Sequence, residues 1–178
     1  MMDGRDLPIA YRPARREDGS AIRELLQSCK LPLAGAKDHL DTFLVATVDG
    51  RIVGCAGIER RGDAALLRSV AVDAAHRGQG VGVALTRRAM ALARERGVRQ
   101  LVLLTTTAED FFPRFGFSPI TRAQMPDSLT DSEEFRRACP ASAHVMQLEL
   151  KATNDRQEPA PARRFRYWCT WRAARHRV

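Results

Sequence analysis

Residues 75–97 read AHRGQGVGVALTRRAMALARERG, and this stretch decides the fold. Gly78, Gly80 and Gly82 fall within five positions, and an amphipathic helix pattern follows at once. Val81, Ala84, Leu85, Ala89, Leu92 and Ala93 form an apolar stripe, Arg87, Arg88, Arg94 and Glu95 lie off it, and Gly97 is placed to end the helix. A glycine loop of this kind is either a structural turn or a phosphate cradle. Glycine lets a ligand approach the backbone and reaches positive φ without strain. At a helix start, the loop N–H groups, the orphan N–H groups of the first turn and the helix dipole converge on one point. The dinucleotide fingerprint fails here because Val83 stands where its third glycine belongs, and no Gly-Lys-Ser/Thr follows to make a P-loop.

Working outward, the preceding AALLRSVAV (64–72) is nearly all apolar, which predicts a strand buried on both faces. TFLVATV (42–48) and RIVGCAGIE (51–59) flank Asp49-Gly50, a favoured hairpin turn. A short strand is expected at 9–12. A helix follows over 16–29, with Ile22, Leu25, Leu26 and Cys29 on one face, and a second short helix over 36–41. Downstream, QLVLLTTT (100–107) reads as a buried strand, AEDFFPRF (108–115) as a short helix ended by Gly116, and SAHVMQLELK (142–151) as an alternating strand. The expected order is β α (α) β β β α β α β β, an α/β chain with a mixed sheet and helices packed on it.

Two local patterns together carry a resemblance. Arg77-Gly78-Gln79-Gly80-Val81-Gly82 directly follows a strand ending Val-Ala-Val-Asp, and Ala108, Phe111 and Gly116-Phe117 recur at fixed spacing after the next strand. In both respects residues 9–150 resemble the GNAT N-acetyltransferase superfamily. That resemblance implies an acyl-CoA N-acyltransferase fold with a splayed central sheet. It also implies acetyl-CoA as co-substrate, entering between the strands 65–73 and 100–106. The cofactor contacts it implies are Val70, Ala71, Val72, Arg77, Gly78, Gln79, Gly80, Val81, Gly82, Thr105, Phe111 and Phe112. The Val72 N–H would polarise the thioester carbonyl and stabilise the oxyanion. A small amine would attack directly, helped by proximity and orientation. The segments VGCAGIE (53–59), GDAALLRSVAV (62–72), LLTTTAEDFFPRFGF (103–117) and EFRRACPASA (134–143) are further similar to GNAT acetyltransferases associated with bacterial arsenic resistance. This narrower likeness implies an arsenical or other toxic, amino-acid-like acceptor and a detoxification context.

The chain departs from the superfamily where protons move. Phe112 replaces the tyrosine that often protonates the leaving thiolate, Thr105 replaces an asparagine, and the strand 64–72 carries no acid. Glu59, at the end of its strand, is the candidate general base. Arg68 either binds an acceptor carboxylate or turns to the far face of the sheet. His39 either gates the acceptor site or caps the surface. The rival readings are a non-catalytic acyl-CoA-binding or metalloid-sensing module, and a protein acetyltransferase recruited by a basic tail.

Composition bounds these readings. The 178 residues suffice for one domain with a real core, and no run approaches the roughly 18 to 20 apolar residues of a membrane span. A cytoplasmic location is the expectation. Cys29, Cys55, Cys139 and Cys169 form no CxxC pair, which speaks against a zinc site or a disulfide scaffold, and no metal is expected. Cys29, Cys55 and Cys139 as a trivalent arsenic centre is the alternative to buried, inert thiols. The net charge of +8 resides largely in residues 161–178, which hold six arginines and no acid, leaving +2 on residues 1–160. A domain over 1–151, the GNAT domain that the resemblance implies, and a basic, disordered tail over 152–178 are therefore expected. Nucleic acid, a membrane surface or nothing at all fits such a tail, and so does read-through in a shifted frame past Lys151. A homodimer is left open as an alternative to a monomer.

Overall fold

A computed structural model describes residues 8–132, 135–136 and 142–151. Seven strands form one sheet in the order β1-β2-β3-β4-β5-β7-β6. They are β1 (Ala10–Pro13), β2 (Phe43–Val48), β3 (Arg51–Arg61), β4 (Ala64–Val72), β5 (Gln100–Thr105), β6 (Ser118–Ile120) and β7 (His144–Glu149). Every neighbouring pair is antiparallel except β4–β5. Helix α1 (Gly19–Ser28) connects β1 to β2, and α2 (Val81–Glu95) makes the crossover that a parallel pair requires. A short helix α3 (Asp127–Thr130) precedes β7.

The β2–β3 hairpin turns where the sequence predicts, because Asp49 (φ 50°) and Gly50 (φ 77°) both take the left-handed conformation of a two-residue turn. The apolar stripe of α2 behaves as read: Val81, Leu85, Ala89 and Ala93 are buried against Ala46, Val53, Ala56, Ile58 and Leu101. The opposite face of the sheet carries α1, whose Ile22, Leu25 and Leu26 pack on Phe43, Val45 and Cys55. On that face α3 also seats Leu129 against Leu66, Val102 and Val145. Both faces of β4 are thus covered, and Ala64 to Ser69 are all buried, as the apolar run predicts.

Three expectations need correction. Residues 108–115 do not form a continuous helix; a 3-10 turn spans Pro113–Phe115, with Gly116 (φ 93°) ending it. Proline there lacks the N–H that a longer helix would use. The second short helix is a 3-10 segment, Lys37–Thr42, kinked at His39. Helix α1 starts at Gly19, after a separate 3-10 turn (Arg16–Asp18) that Arg12 and the Arg15 N–H hold through the Asp18 carboxylate. The Arg12 hydrogen bond, ahead of the Arg15 N–H, holds that carboxyl below its ordinary pKa.

A bulge interrupts the ladder between β3 and β4. Their pairing shifts register between Cys55 and Gly57, and Ser69 takes φ 56°, a conformation uncommon outside glycine. The buried Cys55 thiol sits under the bulge and donates to the Ser69 carbonyl at 3.2 Å, while the Ala71 N–H approaches its sulfur. Burial, which dominates over these contacts, pushes the Cys55 pKa up to about 12, so the thiol keeps the proton it donates.

Candidate active site

The sheet opens where its two parallel strands part. Pairing of β4 with β5 covers only Ala64, Ala65 and Leu66 opposite Gln100, Leu101 and Val102. Beyond Leu66, β4 stays with β3 as far as Gly54–Val72, while β5 stays with β7 as far as Thr105–His144. A wedge therefore separates Leu67–Val72 from Leu103–Thr105.

Three connected hollows fill the wedge. The outer one, about 380 Å³, is lined by Val72, His76, Arg77, Gly78, Gly80 and Arg114 among others. A middle cleft of about 600 Å³ reaches from Arg77 and Phe111 past Val70–Val72 to Leu31. The inner chamber, about 250 Å³, lies between Leu67–Val70, Leu103–Ala108 and the segment Lys30–Pro32. Outer and middle hollows share Val72, Arg77 and Phe111; middle and inner share Leu31, Val70 and Phe112. One groove thus runs from the glycine loop to the α1–β2 connection.

At the groove's mouth Gly78 and Gly80 have φ 75° and 79°, and a Cβ added at either would meet no atom within 4 Å. Gly80 caps α2 without any side-chain hydrogen bond, leaving the first-turn N–H groups facing the opening. At Gly82, on the helix, an added Cβ would stand 3.6 Å from the side chains of Phe111 and Val72, in ordinary contact. These features fit a bound anion. Upstream, the Ala75 N–H donates to Asp73 at 2.9 Å, and this bond, ahead of His76, holds the Asp73 carboxyl below its usual range. Gln79 donates back to the Ala75 carbonyl, tightening the same loop.

The strand edge facing the wedge is set by alternation. Asp73 donates its N–H to Val53, so the neighbouring Val72 directs its peptide group away from β3. The Val72 carbonyl accepts from Arg77 Nε at 3.0 Å and stands 3.6 Å from the Cys29 thiol, which also lines the middle cleft. Phe112 is buried in an edge-to-face arrangement with Phe111 and Phe117. Thr105 Oγ1 accepts the N–H of Ala108 at 3.0 Å, so this hydroxyl shapes the loop after β5.

Glu59 and Arg68 meet on the α1 side of the sheet. Glu59 is 1 % exposed; Oε2 takes Arg68 Nη1 at 2.9 Å, and Oε1 takes Arg61 Nη2 at 2.9 Å. His39 Nε2 lies 3.7 Å from Oε2. Arg68 Nη2 donates to the Ala34 carbonyl. Of the residues singled out in the sequence, Val70, Val72, Arg77, the three glycines and the two phenylalanines gather on the groove. Glu59 and His39 stand beside it, joined through Arg68. Sequence reasoning did not single out Lys30, Ser69 or Arg114, all of which line the groove. Lys30 ends α1 at φ 55°, where no glycine marks the stop. Cys139 and Cys169 lie outside the described residues. Among the described residues no cluster of three His, Cys, Asp or Glu side chains is placed to hold a metal, and no helix is long and apolar enough to cross a membrane.

A wedge between parallel strands, with a left-handed glycine loop at the next helix start, defines an acyl-CoA-type transferase cleft. The family model for the acetyltransferase (GNAT) domain matches residues 39–119. An uncharacterized N-acetyltransferase of Chlorobaculum tepidum is 30 % identical over 126 residues, covering 66 % of this chain and 81 % of the relative. An amino-acid acetyltransferase of Mycobacterium tuberculosis is 32 % identical over 126 residues, 65 % of this chain and 72 % of its own length. A crystal structure from the same organism, in complex with CoA and NLQ, superposes with TM-score 0.66 at 26 % identity, covering 80 % and 99 % of the two chains. N-acetylglutamate synthase of Neisseria gonorrhoeae, complexed with coenzyme A and N-acetyl-glutamate, shares the fold at TM-score 0.70 and 20 % identity, over 83 % of this chain and 36 % of that one. The chain belongs to the GNAT acetyltransferase family. It is an acetyl-CoA-dependent N-acetyltransferase.

Proposed function

We propose that this chain acetylates the α-amine of a small, amino-acid-like acceptor. The observation that carries the reading is the inner chamber: among its described lining residues Lys30 and Arg68 are the charged side chains, and no carboxylate is present. Glu59 shares its single negative charge between Arg68 and Arg61, so the array keeps a net positive charge, and Lys30, exposed on the chamber lining, adds to the attraction for a carboxylate.

Proton arithmetic supports the same choice. An α-amine with a reference pKa near 8 is about one-tenth neutral at pH 7, whereas a lysine amine near 10.4 is only about 0.04 % neutral. A chamber whose described lining holds no carboxylate suits the first acceptor and disfavours protein lysines. Both Glu59 oxygens are held by guanidinium groups, so in this proposal Glu59 is a positioning residue and the amine enters already deprotonated. His39, beside it, belongs to the same acceptor-side array.

Bound acetyl-CoA supplies an activated acetyl thioester. The N–H groups of Gly78, Gly80, Val81 and Gly82 would hold its pyrophosphate, with Arg77 and Gln79 completing the loop. The Val70–Val72 edge, with Ala71 fixed over Cys55, would pair the pantetheine arm as an added strand. The Val72 N–H is the proposed oxyanion donor. Phe111 and Phe112 would form the apolar wall that excludes water, and Thr105 would fix the loop that closes the far side.

The test is thiol release from acetyl-CoA, screened over amino acids, phosphinate and arsenical amino acids, polyamines and peptides. Turnover with an amino acid or an amino-acid-like toxin is expected, and the arsenical arm tests the narrower detoxification reading. Absence of turnover with every amino acid and amino-acid-like toxin would overturn the proposed acceptor class. Preference for peptides would make it a protein acetyltransferase.

A further inference from the structure

The α1–β2 connection supplies one wall of the inner chamber through Lys30, Leu31 and Pro32. Two of its own backbone hydrogen bonds are local: the Leu31 N–H returns to Leu26, and the Ala36 N–H to Leu33. Leu33, Ala36 and Leu40 pack on Ile22 and Leu26, which ties the connection to α1. Apolar packing of this kind is non-directional and allows sliding. The same apolar cluster includes Phe43, Val45 and Cys55 of the sheet, and one directional contact with β4 is added to it. The Ala34 carbonyl accepts from Arg68 Nη2, and Arg68 is locked by Glu59 at 2.9 Å with both side chains out of solvent. Three segments are thereby joined: Glu59 on β3, Arg68 on β4 and Ala34 in the connection.

Register explains how two distant charges meet. Gly57 pairs with Arg68 and Glu59 with Leu66, so Glu59 and Arg68 are diagonal neighbours on one face of the hairpin. The bulge begins just beyond Arg68, at Ser69, and turns Val70–Val72 into the wedge. Arg68 therefore stands between two chamber walls, the strand edge it belongs to and the connection it grips.

We propose that Glu59 and Arg68 form a latch that sets the width of the acceptor chamber by holding the 30–36 wall against β4. Neither acts as a proton donor or acceptor; both are positioning residues. The latch lies on the acceptor side, whereas the glycine loop and Arg77 lie at the other end of the groove. Releasing it widens the chamber and loosens the grip on the acceptor without altering the cradle for CoA phosphates.

The decisive variant is the full chain carrying Glu59→Leu together with Arg68→Met, which removes both charges and leaves neither buried alone. Hydrogen–deuterium exchange is followed over 30–36, with α1 and β4 as internal references. The latch predicts at least tenfold faster exchange at Leu31 and Ala36, with references within twofold of the parent. Unchanged exchange over 30–36 overturns it, as does a uniform rise through α1 and β4, which would mark the pair as a fold-wide brace. In parallel, KM is measured for acetyl-CoA and for L-methionine, L-glutamate and L-arginine as acceptor probes. A rise of tenfold or more in acceptor KM with acetyl-CoA KM within twofold is expected, and equal rises in both overturn the latch. The kinetic arm rests on the small-acceptor reading. If none of the three probes is turned over by the parent, that reading fails while the exchange arm still decides the latch.

Discussion

Glu59 Oε2 and Arg68 Nη1 lie 2.9 Å apart with side chains 1 % and 0 % exposed, so an ion pair on adjacent strands is sealed beside the acceptor chamber. Breaking such a pair on one side leaves an uncompensated buried charge. Glu59→Leu alone is expected to destabilise by about 3 kcal/mol, and the paired Glu59→Leu, Arg68→Met change by much less. Urea unfolding of the three proteins checks this. Equal losses in single and double variants would show that the side chains matter individually and not as a pair.

The same geometry separates positioning from base catalysis. Glu59→Gln keeps the shape and one acceptor oxygen, so kcat/KM should fall by less than about tenfold, and the pH–rate profile should keep the parent's form. A general base would instead lose roughly 10² to 10⁴ in kcat/KM, with the loss shrinking as pH nears the amine's own pKa.

Much of this site was legible in local sequence, and what was not depends on strand register. The loop Arg77–Gly82 and the turn Asp49-Gly50 could be read because each needs particular backbone angles from consecutive residues. The Thr105–Phe117 segment placed two phenylalanines on the groove, although Pro113 cut the expected helix to one 3-10 turn. The Glu59–Arg68 pair stayed hidden because its partners are nine residues apart and meet only through the hairpin register. That register was within reach: counting back from a turn at Gly62-Asp63 sets Glu59 opposite Leu66. The bulge at Ser69 carries no comparable mark, since a serine at positive φ is dictated by tertiary context. Helix α3 is four residues long, too short to show a period.

The two described cysteines should differ in reactivity. Cys55 is buried with its pKa pushed up to about 12, whereas Cys29 is partly exposed and lines the middle cleft. Maleimide at neutral pH should label Cys29 and spare Cys55 in the native protein, and saturating CoA should slow labelling of Cys29. Labelling sites are read by peptide mass spectrometry. Because the folded pKa of Cys55 is raised above the ordinary thiol value of 9.0, its contribution to stability is complete below about pH 9 and declines as pH rises toward 12. Cys55→Ala should flatten that alkaline decline. An unchanged decline would assign it to other groups.

Deleting residues 152–178 should leave acetyl-CoA turnover within about twofold of the full chain. The described secondary structure ends with β7 at Glu149, and the groove draws its described lining from residues 29–143. Steady-state kinetics of the truncated chain is the check. Loss of CoA binding or of cooperative unfolding would place the tail within the domain.

A Gly78–Gly82 loop that holds the phosphates of acetyl-CoA at the start of α2 must lose CoA affinity when the loop is altered, and calorimetric titration with CoA measures that loss. Gly80 has φ 79° and open space where a Cβ would go, and Asp and Asn tolerate this conformation better than most residues. Gly80→Asp and Gly80→Asn should therefore fold alike, as circular dichroism and thermal unfolding would show, while sharing added bulk and differing in charge. CoA binding at least a hundredfold weaker is expected for Gly80→Asp, with a smaller loss for Gly80→Asn. Parent-like CoA affinity in folded Gly80→Asp would show that the loop does not hold the phosphates.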